Sequence, residues 1–507
     1  MSVVVNQASA NEITVAKFGG TSVADFQAML RCAEIIKKDT CNRLVVVSAS
    51  SGVTNKLVRL SQENVPEQER AGIIADIGRI QFAITQHLAC HQALDTEINT
   101  LLEALESCAQ QQANQYCLQN SDEILSFGEQ MSSRIFAQVL QSVDVNGHYF
   151  DARQVMKTDD LYGKAQVNLA QLAKNAQESL LPKLTEKVIV TQGFIGSDEQ
   201  GNTTTLGRGG SDYSAALLAE AIQASNLSIW TDVVGIFTTD PRITDQARSI
   251  NEISFGEAAE MATFGAKILH PATLIPAMRQ DIPVFVGSSK EPNAGGTRIQ
   301  RQVDSNPTYR SIALRREQTL VTVKSPEMLH ASGFLAKVFT VLAKHQLSVD
   351  LITTSEISVA LTFDNPLGST QALLTKAVVE ELEQLCEVSV EHGLSLIAVI
   401  GNKIHGTKGV GSSIFDKVND FNIRMICHGA SDHNLCFLVP EEDANQVVDV
   451  YTILYLRTKT FELFITVIKT QKGHLQSLFY VQDVRYSANA WMHRSVYVQD
   501  VRYSTSA

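Results

Sequence analysis

The stretch TTTLGRGGSDYSAALLAEA (residues 203–221) joins a run of threonines to a glycine-rich turn, which leads into a helical sequence. Such a turn at a helix N-terminus offers backbone N–H groups and the positive end of the helix dipole, and both attract phosphate oxygens. Arg208 adds a planar cation, and Asp212 lies in the first helical turn. A tight loop with an N-capping aspartate explains the same residues equally well, so this stretch alone leaves both interpretations open.

A second glycine turn, KFGGTS (residues 17–22), favours phosphate chemistry. It follows the alternating strand sequence EITVAKF (12–18) and precedes an amphipathic helix, and its spacing matches neither a P-loop nor a dinucleotide-binding fingerprint. A lone lysine such as Lys17 at a strand end is commonly a solvated charge. Two anion-binding turns in one sheet nevertheless make a phosphate site the better interpretation.

Strands and helices alternate along the first part of the chain, which predicts an α/β fold with a mostly parallel sheet. Further strands are predicted at 43–50, 187–196, 227–237 and 282–289, and residues 67–146 have a helical pattern. Ligands are then expected at the carboxyl ends of the strands. Residues 290–310 are rich in Pro, Gly and Asn without an apolar period, so we predict a linker there.

An internal repeat follows the predicted linker. Residues 333–363 align without gaps against residues 409–439, at an offset of 409 − 333 = 76. Each copy has a glycine, an amphipathic helix and two strands joined by a serine–acidic turn. The helix faces are Val338, Phe339 and Leu342 in the first copy and Ile414, Phe415 and Val418 in the second. With a strand before each copy, the pattern predicts two small split βαβ domains.

The composition is that of a globular protein with several domains, since the chain has 507 residues, 44% hydrophobic and 19% charged. The net charge of −12 argues against nucleic-acid and membrane-surface partners. The 8 cysteines show no CxxC pair and no metal-ligand spacing, as is typical of reduced thiols. The first basic residue is Lys17, so a signal peptide is not expected. We expect a cytoplasmic protein without a structural metal.

Residues 451–507 differ in character from the rest of the chain. The segment YVQDVRYS occurs at 480–487 and again at 497–504, and seven basic against three acidic residues give +4, while the rest carries −16. A shifted reading frame or a fusion scar is the first explanation of this aberrant or disordered tail, and a genuine extension is the second. Charges within its most apolar stretch argue against a membrane span.

The motifs together resemble one family. KFGGTSVADF, GFIGS, TTTLGRGGSDYSAALLAEA, EMATFGAKILHP and PVFVGSS, in this order, resemble the aspartate kinases of the amino-acid kinase family, and the repeat resembles the paired ACT domains of the lysine-sensitive type. The resemblance implies a helix-sandwiched sheet followed by two βαββαβ ACT domains. It also implies transfer of a phosphoryl group from ATP with Mg²⁺ to L-aspartate, the first step towards lysine (via diaminopimelate), threonine and methionine, with feedback inhibition by L-lysine.

The resemblance assigns roles to residues of the kinase half. Lys17 and Asp212 would be catalytic, with Lys17, Gly19 and Gly20 at the transferring phosphoryl group. The implied aspartate contacts are Thr54, Glu129, Arg208, Gly209 and Ser211, where Glu129 would bind the α-ammonium group and Arg208 a carboxylate. The implied nucleotide contacts are Thr231, Asp232, Phe237, Arg242 and Lys267. Phe237 replaces the tyrosine common in the family, and no protein side chain is expected to bind the metal.

The first ACT copy carries the implied lysine contacts. They are Met328, Ala331, Gly333, Phe334, Leu335, Ser348, Val349, Asp350, Ser355 and Glu356. Ala331 departs from the serine common in relatives, which bears on effector affinity. The second copy has Met425 and Ile426 where the first has Val349 and Asp350, so we expect it to bind no effector and to serve an interface between subunits of a homodimer or tetramer.

These assignments predict a domain order with four parts: a kinase domain at 12–295, a first ACT domain at 318–390, a second at 309–316 plus 391–450, and the tail at 451–507. Two other functions are weighed against the first. One is a lysine-sensing regulatory protein with an inactive kinase half, which the intact Lys17, Arg208 and Asp212 disfavour. The other is a kinase of another acidic amino acid, which the ACT pair and Glu129 disfavour.

Overall fold

The computed structural model describes residues 13–207, 209–265, 269–329, 332–364, 374–456, 463–469 and 475–481. The chain divides into two units, Met1–Leu456 and Arg457–Ala507. The strands of the first unit are β1 (Thr14–Phe18), β2 (Asn42–Val47), β3 (Gly147–Tyr149), β4 (Val188–Gln192), β5 (Ile195–Ser197), β6 (Thr203–Thr205), β7 (Asn226–Thr231), β8 (Glu252–Ser254), β9 (Val284–Ser288), β10 (Gly296–Gln300), β11 (Ser311–Lys324), β12 (Ile352–Thr354), β13 (Ser358–Asp364), β14 (Glu387–Ile400), β15 (Met425–His428) and β16 (Asn434–Pro440).

The α-helices of this unit surround its sheets. They are α1 (Phe26–Lys38), α2 (Val53–Leu60), α3 (Glu67–Thr85), α4 (Gln92–Asn114), α5 (Leu118–Ser142), α6 (Leu169–Asn175), α7 (Gly210–Ala221), α8 (Phe255–Thr263), α9 (Pro271–Gln280), α10 (Phe334–Lys344), α11 (Lys376–Glu383), α12 (Val410–Phe415) and α13 (Ala444–Tyr451). The predicted helical pattern over 67–146 is thus made up of α3, α4 and α5.

The first sheet has eight strands in the order β3-β4-β2-β1-β7-β9-β10-β8. The pairings from β3 to β9 are all parallel, so the carboxyl ends of these strands share one edge. Hydrophobic residues alternate between its two faces: Val15 packs into the core that α7 and α9 cover, and Ala16 into the core that α1 and α5 cover. The predicted fold class is confirmed for this part of the chain.

The predicted linker at 290–310 is wrong in part, because it contains β10. This strand pairs antiparallel with β9 and parallel with β8, so the sheet continues past residue 295. Thr297 and Ile299 are buried, whereas Arg298 between them is exposed. The alternation covers only five residues, four of them polar or glycine, and the neighbouring Pro, Gly and Asn hid it.

The second sheet has six strands in the order β12-β13-β11-β14-β16-β15. Its two central strands are long, and each serves both repeats. Residues 311–315 of β11 pair with 396–400 of β14, whereas residues 318–324 of β11 pair with β13 as well as with the first half of β14. The edge strands β12 and β15 approach each other, because Thr353 Oγ1 donates to the carbonyl of Ile426 at 3.3 Å.

The two repeats fold alike, as their alignment predicts. Helix α10 packs on the first repeat through Val338 and Leu342, and α12 packs on the second through Ile414. The prediction that Phe339 belongs to the buried face of α10 is wrong, because this side chain is 40% exposed. It lies beside Val338 in sequence, but its position on the helix turns its ring away from the sheet towards solvent.

The end of the second repeat also differs from the expectation that the tail begins at 451. The side chain of Tyr451 is fully buried, and its hydroxyl donates to the carbonyl of Ile414 at 2.7 Å. Tyr451 therefore belongs to the core of the second repeat. In the second unit, β17 (Leu463–Lys469) and β18 (Leu475–Val481) pair antiparallel, and the remaining residues of that unit lie outside the described part. Among described residues, no helix has the length and apolar character needed to cross a membrane.

Candidate active site

The site is organised around an ion pair at the carboxyl edge of the first sheet. Lys17 Nζ lies 2.5 Å from Asp212 Oδ1, and the two side chains are 10% and 17% exposed. Strand β1 is central in the sheet, and Lys17 pairs with Val46 of β2 and Ile229 of β7. Asp212 lies in the first turn of α7. The fold thus brings together the two predicted catalytic residues from distant parts of the sequence.

The first glycine turn lies directly beside this pair. Gly20 lies close to the loop that follows β2, because a Cβ added to it would lie 2.9 Å from the carbonyl oxygen of Ala49. The N–H of Gly19, predicted to bind phosphate, instead donates to the carbonyl of Trp230 at 3.1 Å. Gly20, the first residue of the 3-10 helix Gly20–Val23, is therefore the better placed of the two donors.

The second glycine turn requires glycine at its end. Gly209 caps α7 with φ +75°, a left-handed conformation that other residues rarely adopt. An added Cβ would lie 2.6 Å from Cβ of His270. Ser211 faces the loop after β4, where an added Cβ on Gly193 would lie 2.6 Å from Ser211 Cβ. The N-terminus of α7 is therefore held by close backbone contacts on two sides.

Glu129 lies on α5, buried beneath the loop after β2. It is 5% exposed and accepts a hydrogen bond from the backbone N–H of Ala49. Burial raises the pKa of Glu129 to about 7, while the Ala49 N–H and the charge of Lys17 act in the opposite direction. A buried carboxylate near a lysine suits the recognition of an ammonium group, which would supply the countercharge that burial demands.

The other predicted residues of the kinase half are less closely grouped. Thr231 ends β7, beside β1, and its hydroxyl donates to Asp232 at 3.2 Å. Thr54 is an exposed residue near the start of α2. Arg242 does not join the Lys17–Asp212 pair. Its side chain is 79% exposed and forms a separate ion pair with Asp240 at 2.6 Å.

Three predicted residues lie outside the described part of the chain: Arg208, Lys267 and Ala331. Phe237 is half-buried and forms an isolated bridge with Ser249. The roles of all these residues stay predictions. Among described residues, no group of three or more His, Cys, Asp and Glu side chains is arranged to hold a metal ion.

The predicted effector residues surround the start of α10 and the neighbouring strands. Gly333 caps α10 with Phe334 and Leu335 following it, Met328 ends a short 3-10 helix, and Ser348, Val349, Ser355 and Glu356 lie before and after β12. Asp350 is already engaged, since its Oδ1 lies 3.5 Å from Arg315 Nη1. No sequence pattern points to Arg315, because this contact joins residues from the two different repeats.

Two further polar contacts escaped the sequence analysis. Ser22 Oγ and Ser289 Oγ lie 2.7 Å apart and tie the first glycine turn to the end of β9. Asp122 of α5 is buried and accepts hydrogen bonds from Gly163 and Thr205. An acidic residue in a predicted helix is expected to be exposed to solvent. Only the three-dimensional structure shows that Asp122 is buried.

Two family models match this chain, one in each half of the fold. The model of the amino acid kinase family matches residues 12–288, and an ACT domain model matches residues 397–451. The lysine-sensitive aspartokinase 3 of Escherichia coli is 55% identical over 441 residues, which cover 86% of this chain and 98% of that protein.

Two solved structures of E. coli aspartokinase III resemble this fold along its length. The complex with aspartate and ADP (R-state) has a TM-score of 0.80 at 54% identity and covers 87% of this chain and 100% of that one. The complex with lysine and aspartate (T-state) has a TM-score of 0.76 at 55% identity and covers 88% and 100%. Both similarities extend over the kinase and the ACT halves.

Proposed function

The chain belongs to the amino acid kinase family, among its lysine-sensitive aspartokinases, and we propose from this premise how its residues phosphorylate L-aspartate at the expense of MgATP. The enzyme is an aspartate kinase that forms 4-phospho-L-aspartate and opens the route to lysine, threonine and methionine. The observation that supports the assignment of residues is the buried Lys17–Asp212 pair beside Glu129 and two helix N-termini.

The reaction brings together two anions, so the site must supply positive charge where they meet. Lys17 provides a cation with little access to water, and electrostatic interactions are stronger in such a site than in bulk solvent. Asp212 holds the ammonium of Lys17 in place through their 2.5 Å ion pair. Lys17 thereby stabilises the negative charge on the phosphoryl group as it passes from ADP to the aspartate carboxylate.

Glu129 would bind the α-ammonium group of aspartate. Its burial makes the ionised carboxylate costly without a partner, and an amino acid substrate supplies that partner. Arg208 would grip a carboxylate, while Gly209, Ser211 and Thr54 complete the contacts. Together these contacts would fix the substrate's orientation, which lowers the entropy lost on reaching the transition state.

The nucleotide would lie along the carboxyl ends of β1 and β7. Thr231, Asp232, Phe237 and Lys267 are the proposed contacts, with Gly19 and Gly20 near the phosphates. Magnesium enters with ATP as part of the substrate and neutralises phosphate charge. Arg242 would have to exchange its Asp240 partner for the nucleotide, a change that the 79% exposure of the Arg242 side chain permits.

L-lysine inhibits the enzyme through the first ACT domain. We place its ammonium groups near Asp350 and Glu356, and the domains at 12–295, 318–390 and 309–316 plus 391–450. Exposed apolar side chains support a subunit interface on the ACT half: Leu335, Phe339, Ile352, Ile357 and Ile426 are 38–44% exposed. A homodimer or tetramer through this face is therefore proposed. The described cysteines form no disulfide, which fits a reducing cytoplasm.

An ADP-release assay with aspartate and MgATP tests the function, with the acyl phosphate trapped by hydroxylamine. We expect turnover with aspartate, none with glutamate or N-acetylglutamate, and inhibition by millimolar lysine but not threonine. A lysine-sensing protein with an inactive kinase half would bind lysine without releasing ADP. A kinase of another acid would turn over one of the two substitute acids instead.

A further inference from the structure

We propose that Asp122 is a positioning residue for the amino-acid substrate: it fixes the entrance of the glycine-rich loop relative to Glu129. Its carboxylate lies on α5 and acts through the strand end that it binds. This inference rests on the proposed recognition of aspartate by Glu129 on one side and by the loop at residues 207–211 on the other.

The contacts of Asp122 are three hydrogen bonds made in a buried site. Asp122 Oδ2 accepts from the backbone N–H of Thr205 at 2.7 Å and from that of Gly163 at 2.9 Å. Asp122 Oδ1 accepts from the hydroxyl of Thr205 at 2.8 Å. The residue is 1% exposed. A buried carboxylate with three donors has little freedom, so the end of β6 is fixed to α5.

The bound strand end leads directly into the loop. Thr205 is the last residue of β6, and its carbonyl accepts from Ala165 at 2.9 Å. Leu206 N–H donates to Phe194 at 2.9 Å, and Gly207 packs on the segment that Asp122 binds, with an added Cβ only 3.2 Å from the carbonyl oxygen of Gly163. Asp122 therefore determines where the chain enters the glycine-rich turn.

Helix α5 links this contact to the other end of the substrate. Asp122 and Glu129 are seven positions apart, which is about two helical turns, so both lie on one face of α5. An α-helix is stiff over two turns. The distance between the proposed ammonium acceptor, Glu129, and the loop that would bind a carboxylate is thereby set by one helix. A fixed span would favour acids of one length over longer or shorter ones.

Asp122→Ala is the decisive variant, because it leaves the N–H groups of Thr205 and Gly163 without an acceptor. We expect the KM for aspartate to rise about 10-fold or more, since small misplacements of binding groups are costly. The KM for ATP should change less than about twofold, because the nucleotide contacts lie on other elements. Asp122→Asn should restore near-native values: its carbonyl can accept both N–H groups, and its amide can donate to the Thr205 hydroxyl.

Asp198→Ala is the matched control. Asp198 is also buried and binds the opposite end of the β5–β6 hairpin, accepting from Asn202 N at 2.8 Å, Asn202 Nδ2 at 3.0 Å and the Tyr162 hydroxyl at 2.9 Å. We expect its KM for aspartate to stay native. An equal rise in Asp198→Ala would overturn the proposal, since hairpin stability would then be the cause.

Two other results would also contradict the inference. The first is an unchanged KM for aspartate in Asp122→Ala. The second is an Asp122→Asn variant as impaired as Asp122→Ala, because the charge of Asp122 and not its hydrogen bonds would then be the cause. If Asp122→Ala does not fold, Thr205→Val decides. It loses one hydrogen bond, so the KM for aspartate should rise about threefold, and no rise would refute the role. A wild-type enzyme that fails to phosphorylate aspartate refutes the proposed function instead, whatever Asp122 does.

Discussion

The guanidinium of Arg315 lies 3.5 Å from the carboxylate of Asp350, and both side chains are 22% exposed. Arg315 comes from the half of β11 that belongs to the second repeat, whereas Asp350 lies in the first. Gly265, which follows α8 of the kinase half, packs against the same strand, where an added Cβ would lie 2.6 Å from the carbonyl oxygen of Leu314. A lysine that binds Asp350 must therefore compete with a cation next to the kinase half.

Removing this competing cation should tighten lysine binding. For Arg315→Leu we expect a threefold to tenfold lower Kd for lysine by calorimetry, about the energy of a half-buried ion pair. Asp350→Asn should weaken binding by at least about 10-fold. Arg316→Leu is the control, because Arg316 pairs with Glu441 and Asn445 instead, and its Kd should stay native. A Kd unchanged in Arg315→Leu would show that Asp350 does not receive the ligand's ammonium.

Glu129 should impose an acid limb on catalysis. Its pKa is raised to about 7 by burial, and only the ionised form accepts an ammonium group, so kcat/KM for aspartate should fall as the pH drops below about 7. Glu129→Gln should raise the KM for aspartate about 10- to 100-fold and remove this limb. A pH profile that keeps its acid limb in Glu129→Gln would assign the limb to another group.

The same carboxyl makes stability depend on pH. Because its folded pKa lies above its ordinary value, the neutral form favours folding below pH 4.5, and this contribution is lost as the pH rises through about 7. Glu129→Gln carries no charge to bury. We therefore expect its Tm to exceed that of the wild type at pH 8.5 and to match it at about pH 4. Equal Tm values at both pH values would contradict the burial of an ionised Glu129.

A buried ion pair joins the kinase half to the ACT half. Arg310 Nε lies 2.9 Å from Glu257 Oε1, the side chains are 8% and 0% exposed, and Asn402 Nδ2 donates to the same oxygen at 2.7 Å. Arg310→Met leaves a buried carboxylate without its cation and should cost about 3–5 kcal/mol in urea unfolding. The exposed pair of Arg424 with Glu391 provides the control, since Arg424→Met should cost less than about 1 kcal/mol.

The double variant Glu257→Gln, Arg310→Met separates charge from packing. It removes the uncompensated carboxylate and should recover about half of the lost stability or more. A double variant no more stable than Arg310→Met would show that the arginine contributes through packing and its bond to the carbonyl of Ser305. That bond is also present in the structure.

Short-range patterns predicted much of this molecule. The strand–turn–helix order placed Lys17 at a strand end, and the repeat at an offset of 76 predicted α10 and α12 and their strands. Strand β10 was missed, because its alternation is short and flanked by Pro and Gly. Contacts between distant residues were not predictable in this way. Arg315 with Asp350 and Asp122 with Thr205 join segments whose proximity depends on the whole fold, and no local pattern encodes them.

Gly201 and Gly209, which lie before and after β6, allow the effect of backbone strain to be distinguished from the effect of a steric contact. Gly201 and Gly209 both have positive φ, +87° and +75°. Nothing lies within 4 Å of a Cβ added to Gly201, whereas a Cβ added to Gly209 would lie 2.6 Å from His270. Alanine at either position carries the same left-handed penalty, on the order of 1 kcal/mol. Only Gly209→Ala also pushes apart the start of α7 and the His270 segment.

We therefore expect Gly201→Ala to lower the free energy of unfolding by about 1 kcal/mol with native kcat. Gly209→Ala should lose a similar amount or more and, in addition, lower kcat about 100-fold, because Asp212 follows three positions later and holds Lys17. Steady-state kinetics of both variants, at a temperature where urea curves show each to be folded, makes the comparison. A Gly209→Ala enzyme with native kcat would mean that the start of α7 can shift without disturbing the Lys17–Asp212 pair.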